Sequence, residues 1–214
     1  MDAYSQLVQT LALTLGVGWA SGINLYAAAF ALGLAGATGY VDLPPGLEVL
    51  ADPLVIAAAG LMYLVEFFAD KIPGVDSGWD AIHTFVRIPA GALLAAGAVG
   101  EVSPALEVAA GLLGGSLAAA SHLTKASGRL VINTSPEPFS NWLASLGEDL
   151  AVLLGLWTAL NHPLVFLVLL ALFLALVAWS LPRLWRAAGR LFRWLRGRIA
   201  PGAGEEPTAG GGRR

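Results

Sequence analysis

The chain has 214 residues, 57% of them hydrophobic and only 13% charged, with a formal net charge of −3 and a mean hydropathy of +0.70. A water-soluble globule carries about 25% charged residues, so that class is excluded for most of this sequence. Cysteine is absent, which removes disulfides, thiol nucleophiles and thiolate metal ligands.

Apolar runs long enough to cross a hydrocarbon core recur along the chain without period-2 alternation, so they predict transmembrane helices and not barrel strands. In chain order these are helix A at 4–19, B at 23–38, C at 53–70, D at 78–100, E at 105–125, F at 136–160 and G at 163–181. The opening Met1-Asp2-Ala3-Tyr4 lacks the basic n-region of a signal peptide, so the first apolar segment is expected to remain as a helix. Helix A is short and carries Gln6, Gln9, Thr10 and Thr14. It reads as a spanning helix, a re-entrant piece, or one half of a helix broken at Gly18–Gly22. Pro53 and Pro163 sit where a first-turn proline loses no hydrogen bond. Ser77 with Asp80 resembles a capping box, and Ser135-Pro136-Glu137 reads as a cap, a first-turn proline and a first-turn acid. The fold class is therefore an all-α polytopic membrane protein, with a bundle of six to seven transmembrane helices over residues 1–182.

Two patterns bear on the arrangement. Ala20-Ser21-Gly22 recurs as Ala126-Ser127-Gly128, and Pro53-Leu54-Val55 as Pro163-Leu164-Val165, which is compatible with two three-helix repeats joined by D. Small residues four apart, as at Gly18/Gly22, Ala27/Ala31, Gly33/Ala37, Gly91/Ala95 and Gly111/Gly115, let helices approach closely in lipid, within one chain or between copies in a homo-oligomer.

Charge gives an orientation. Eight of the twelve Lys and Arg lie from Arg183 onward, and Arg183, Arg186, Arg190, Arg193, Arg196 and Arg198 alternate with Leu and Trp over 183–199. That pattern predicts a basic amphipathic helix on an anionic lipid surface, followed by a Gly-rich, disordered tail over 200–214. Lys71, Arg87, Lys125 and Arg129 fall toward the same side, whereas the opposite loops hold Asp42, Glu48, Asp52 and Glu101. The positive-inside rule then puts the C-terminus in the cytoplasm and the N-terminus outside.

Charges at membrane depth mark the candidate site, since each costs roughly 2.5–3.5 kcal/mol to insert unless it faces an interior or an aqueous cavity. One group is Glu66, Asp70, Lys71, Asp76, Asp80, His83 and Arg87; a second runs from Asn133 through Asn141 to Glu148 and Asp149. Asn24 near the A–B break and His122 with Lys125 at the end of helix E complete the set. Depth and sign suggest an Arg87 pair with Glu148 or Asp149. His83 is able to titrate near neutral pH. No nucleophile elbow, HExxH, phosphate loop or acidic metal pair is present, so no catalytic residue or cofactor is assigned and any metal is left open. Nucleic-acid binding has no support beyond the basic tail, which suits a membrane surface better.

Several motifs carry a family resemblance: Ala20-Ser21-Gly22-Ile23-Asn24-Leu25-Tyr26, the segment Glu66–Asp76, Trp79-Asp80-Ala81-Ile82-His83-Thr84-Phe85, and Ser135-Pro136-Glu137-Pro138-Phe139-Ser140-Asn141-Trp142. They resemble the bacterial membrane family called domain of unknown function 4126, over about residues 10–195. Many family members carry Arg where this chain has Asn24. The resemblance implies a multi-helix inner-membrane protein and no particular substrate. The expectation for function is a small transporter or channel-like protein moving a small solute or ion through a polar cavity open to the cytoplasm. The alternatives are a non-transporting membrane scaffold or assembly factor and an intramembrane enzyme acting on lipid.

Overall fold

The computed structural model describes residues 2–72, 74–100, 102–134 and 138–199; the side chains of Pro138, of 181–182 and of 184–199 are not described. The described residues form α1 (Ala3–Ala37), a short 3-10 helix (Pro45–Ala51), α2 (Pro53–Ala69), α3 (Val75–Val99), α4 (Pro104–Ile132), α5 (Pro138–Asn161) and α6 (Pro163–Ile199). Five helices are long and apolar enough to cross a membrane, or six when the 3-10 helix and α2, bent by 70° at their junction, count together. The all-α polytopic class is as expected. Two compact units divide the chain, Met1–Ala171 and Leu172–Arg214.

Helix starts follow local chemistry. Asp52 caps α2 by accepting from Leu54 N (2.7 Å), with Pro53 in the first turn. Ser103 does the same for α4 through Leu106 N (3.2 Å). The expected Ser77 cap is not used: α3 begins earlier, at Val75, after Gly74 at φ 86°. Only glycine adopts that backbone at no steric cost, and Asp76 Oδ1 accepts from both Gly74 N (2.8 Å) and Ser77 N (2.6 Å). Helix α5 begins at Pro138; the predicted cap at 135–137 lies outside the described residues.

The decisive feature is in α1. Predicted helices A and B are one element, interrupted not at Gly18–Gly22 but at Asn24, whose φ −147° and ψ 95° are non-helical. Its neighbours show that the chain reverses there. Residues 3–23 run parallel to α4, with Gly18 against Gly114, Gly22 against Ala118 and Ser121, and Ile23 O bonded to Lys125. Residues 25–37 run antiparallel to α2, with Phe30 against Gly60, Gly33 against Leu50 and Ile56, and Gly36 against Ala51. Since α2 and α4 point the same way, the two halves of α1 point oppositely. Gln9, Thr10 and Leu13 consequently meet Val41, Asp42 and Pro44 around one cavity of about 250 Å³. At 1.5 Å per residue the arms are roughly 30 Å and 20 Å long. Both open to the face that carries Pro53, and Asn24 lies about two-thirds of the way across a ~30 Å hydrocarbon core.

This hairpin is the bundle's centre, touching α2, α3, α4 and α5. It contributes Val17, Ala20, Ile23, Ala27 and Ala28 to the hydrophobic core, where Val152 and Leu156 of α5 join them. A Cβ at Gly18 would lie 2.7 Å from Gly114 Cα, so the expected small-residue face at Gly18/Gly22 does bring two backbones together. Gly128 and Gly147 differ, being exposed in α4 and α5 with nothing within 4 Å of an added Cβ. Replacing either with alanine should raise stability by up to about 1 kcal/mol through helix propensity alone. A rise in the thermal unfolding midpoint of the detergent-solubilised protein checks this.

Candidate functional site

Below the tip of the hairpin, on the Lys71 side, five helices bring their polar residues together. Helical rise puts Glu66, Arg87, Glu148 and Asp149 about 18–20 Å from the Pro53 face, and Lys125 Nζ reaches the same level, 3.3 Å from Glu66 Oε1.

The break itself is satisfied from outside. Asn24 Oδ1 accepts from Ala27 N (2.9 Å) and so caps the second arm, one of the donors that a helix start leaves unpaired. Asn24 Nδ2 donates to Asp149 Oδ1 (2.9 Å). Lys125 Nζ donates to Ile23 O (3.2 Å) and Ser121 Oγ to Trp19 O (2.8 Å). Non-helical backbone at this depth is tolerated because α4 side chains donate to carbonyls beside it and Asp149 of α5 holds the capping amide.

Around it lies a continuous ion network. Arg87 Nη2 donates to Glu66 Oε1 (2.5 Å) and Nη1 to Asp80 Oδ1 (2.9 Å). Lys125 Nζ sits 2.8 Å from Asp70 Oδ2, 3.3 Å from Glu66 Oε1, 3.6 Å from Asp80 Oδ1 and 3.5 Å from Glu148 Oε2. Arg129 grips Glu148 with Nε (3.2 Å) and Nη2 (2.6 Å), and reaches Asp70 O (3.0 Å) and Asn141 O (3.2 Å) with Nη1. Every one of these side chains is 3% exposed or less except Glu148 at 20%. Four carboxylates thus meet three cations. Asp149, 6% exposed, adds a fifth carboxyl with no cation bonded to it.

The histidines have defined roles. Thr84 Oγ1 gives its proton to Asp80 O (3.0 Å), so at 2.7 Å from His122 Nε2 it accepts. His122 therefore carries its proton on Nε2, and its Nδ1 accepts from Arg87 Nη1 (3.1 Å). These partners assign the neutral tautomer. His83 stacks on Trp79 at 4.2 Å and contacts Trp79 O through Nδ1 (2.9 Å) and the Tyr26 hydroxyl through Nε2 (3.1 Å). On the Lys71 face, Asn133 Nδ2 donates to Asp76 Oδ1 (3.0 Å) and Oδ2 (2.9 Å), and Asn141 Nδ2 donates to Asn133 Oδ1 (2.8 Å).

Most residues singled out in the sequence therefore come together, but as partners of one another. Glu66, Asp70, Asp80, Arg87, Lys125 and Glu148 form the ionic core; Asn24 and Asp149 form its junction with the break; Asp76, Asn133 and Asn141 close one side. Lys71 stands at the margin, over the Phe67 ring and 3.3 Å from Ser145 Oγ. The expected Arg87 pair with Glu148 or Asp149 is not formed: Glu66 and Asp80 occupy Arg87, while Arg129 and Lys125 hold Glu148. Arg129, Thr84 and Tyr26 join the site although they are not among the sequence candidates. Arg129 was legible, since His122, Lys125, Arg129 and Asn133 are spaced 3, 4 and 4 along one face of α4. Arg183 lies over the Trp179 ring at 3.9 Å and bonds Trp179 O. The side chains of Arg186, Arg190, Arg193, Arg196 and Arg198 lie outside the description. Among the described residues no group of three or more His, Asp or Glu is arranged to hold a metal.

Fold and site together define a multi-pass membrane protein in which a re-entrant helical hairpin ends on a buried charge network. The chain belongs to the family described as domain of unknown function DUF4126, whose model matches residues 11–183. No curated protein and no solved structure matches it.

Proposed function

We propose that the protein is a small membrane transporter whose buried network is its ion-coupling centre, with the Lys71 face in the cytoplasm. One observation carries the reading: a broken helix places its interruption, deep in the bilayer, against a network with more carboxylates than cations. Intramembrane ionisable groups are costly and mark ion and proton routes, and discontinuous helices form the sites of many secondary transporters. The hairpin is flanked by the 250 Å³ cavity on the Pro53 face and by an apolar groove of about 330 Å³ lined by Tyr26, Ala29, Met62 and Leu93. The basic helix beyond Arg183 serves as an anionic-lipid anchor on the cytoplasmic side of an inner membrane.

Purified protein in proteoliposomes should dissipate an imposed pH or cation gradient. The Asn24→Ala variant, which leaves every charge in place but frees the break, should slow flux by about tenfold or more, a barrier change of ~1.4 kcal/mol. Equal flux from the variant and the wild type would overturn the role of the break, and empty-liposome rates in every gradient would overturn transport. In that event a second reading has its own support: each network cation is multiply bonded inside a closed core, as a scaffold requires.

A further inference from the structure

We infer that Asp149 is the residue on which this network holds a proton, and that the proton is sensed by the break in α1. As a coupling device this rests on the transporter reading; the location of the proton stands on the geometry alone.

Charge comes first. Glu66, Asp70, Asp80 and Glu148 each contact at least one of Arg87, Lys125 and Arg129 within 4 Å, whereas Asp149 contacts none of them. A carboxylate in a low-dielectric interior with no cation bonded to it takes up a proton more readily than one held in an ion pair. Asp149 is the one carboxyl of the five without a cation within 4 Å; its Oδ2, like Glu66 Oε2, Asp70 Oδ1 and Asp80 Oδ2, is buried with no close hydrogen bond, and the Tyr63 hydroxyl faces the carboxyl. The groups facing it are Asn24 from α1, Tyr63, Asp70 and Lys71 from α2, and Lys125 from α4. A metal cation is a poor alternative occupant. The surroundings offer two ammonium groups, Ile23 O is already taken by Lys125, and no acidic cluster of metal-binding form is present among the described residues.

Asn24 supplies the readout. Its amide nitrogen holds Asp149 Oδ1 while its amide oxygen caps the second arm at Ala27 N. An ionised Asp149 makes that first bond charge-assisted and about twice as strong as the neutral one, so proton release tightens the break onto α5 and proton uptake loosens it. The step moves one proton from solvent hydronium to Asp149 Oδ2: one O–H bond of hydronium breaks to leave water, one O–H bond forms on the carboxyl, and no electron is transferred.

Infrared difference spectroscopy on the full chain in liposomes tests this directly. A carbonyl stretch from a protonated, buried carboxylic acid should appear in the wild type, titrate away as pH is raised, and vanish in Asp149→Asn, which should take up one proton fewer per chain. Asn24→Ala keeps the carboxyl but removes its donor, so the same band should remain and move to higher frequency; this variant decides the matter if Asp149→Asn does not fold. A band that is unchanged in both variants puts the proton elsewhere, and absence of the band in the wild type means that every carboxylate is ionised. Either result overturns the inference. Flux without an Asp149 band leaves the transporter reading and removes this site; an Asp149 band without flux does the reverse.

Discussion

Replacing Arg87 by methionine should remove about 3–5 kcal/mol of stability, because it strands two buried carboxylates at once. Arg87 is fully buried and bonded to Glu66 (2.5 Å), Asp80 (2.9 Å) and His122 (3.1 Å). Without it Glu66 and Asp80 depend on Lys125 alone, at 3.3 Å and 3.6 Å. Total stabilities of about 5–15 kcal/mol leave little to spare after such a loss. The expected result is a steep drop in the folded fraction on extraction and an earlier unfolding transition in denaturant. Which partner rescues it identifies the pairing. Adding Glu66→Gln should recover a good part of the loss, whereas neutralising Glu148 should worsen it by stripping Arg129 of its bidentate partner. Rescue through Glu148 or Asp149 instead would mean that the network is wired otherwise.

Gly22→Val should be nearly as damaging for a wholly different reason. A Cβ at Gly22 would fall inside the van der Waals radii of Ser121 Oγ and Ala118 O, and 2.9 Å from the Ala118 carbonyl carbon. The obstacle is helical backbone, which cannot rotate away, so α1 and α4 must separate. Overpacking of this kind costs about 1–3 kcal/mol and occasionally more. The separation would also stretch the Ser121–Trp19 O and Lys125–Ile23 O hydrogen bonds that make the break tolerable. Gly128→Val is the control, with open space around an added Cβ. Thermal unfolding should show Gly22→Val well below the control, and equal midpoints would show that the two helices do not meet there.

Much of this was readable from sequence, and the failures have physical causes. Hydrophobic runs and first-turn prolines located α2 and α6 at Pro53 and Pro163 to the residue, because proline at a helix start has few alternatives. The α1 interruption was misplaced because glycine suggests breakage. Gly18 and Gly22 serve close approach to α4 instead, and the break falls on Asn24, whose short amide caps the second arm and bonds α5 with one side chain. Depth along a helix identified the candidate charges but not their partners. Glu66, Glu148 and Asp149 all lie within one turn of the same level, and the direction each helix presents decides which of them Arg87 meets. That direction is set by packing between helices. The face of α4 carrying Arg129 shows what periodicity can still recover when it is followed past the last apolar residue.

The reversal at Asn24 has a consequence for biogenesis. An ordinary hydrophobic hairpin can be threaded into the bilayer as it emerges from the ribosome, since each helix satisfies its own backbone. Here the groups exposed at the reversal are met by Lys125 and Ser121 of α4, and the capping amide by Asp149 of α5, all of which are synthesised more than 90 residues later. A segment made before α4 and α5 can therefore be seated only after them. Until α4 and α5 are in place it must wait at the Pro53 face or in the keeping of the insertion machinery. Truncation after α3 should accordingly leave an N-terminal segment that fails to stay at depth, even though by hydropathy alone it qualifies as a membrane span.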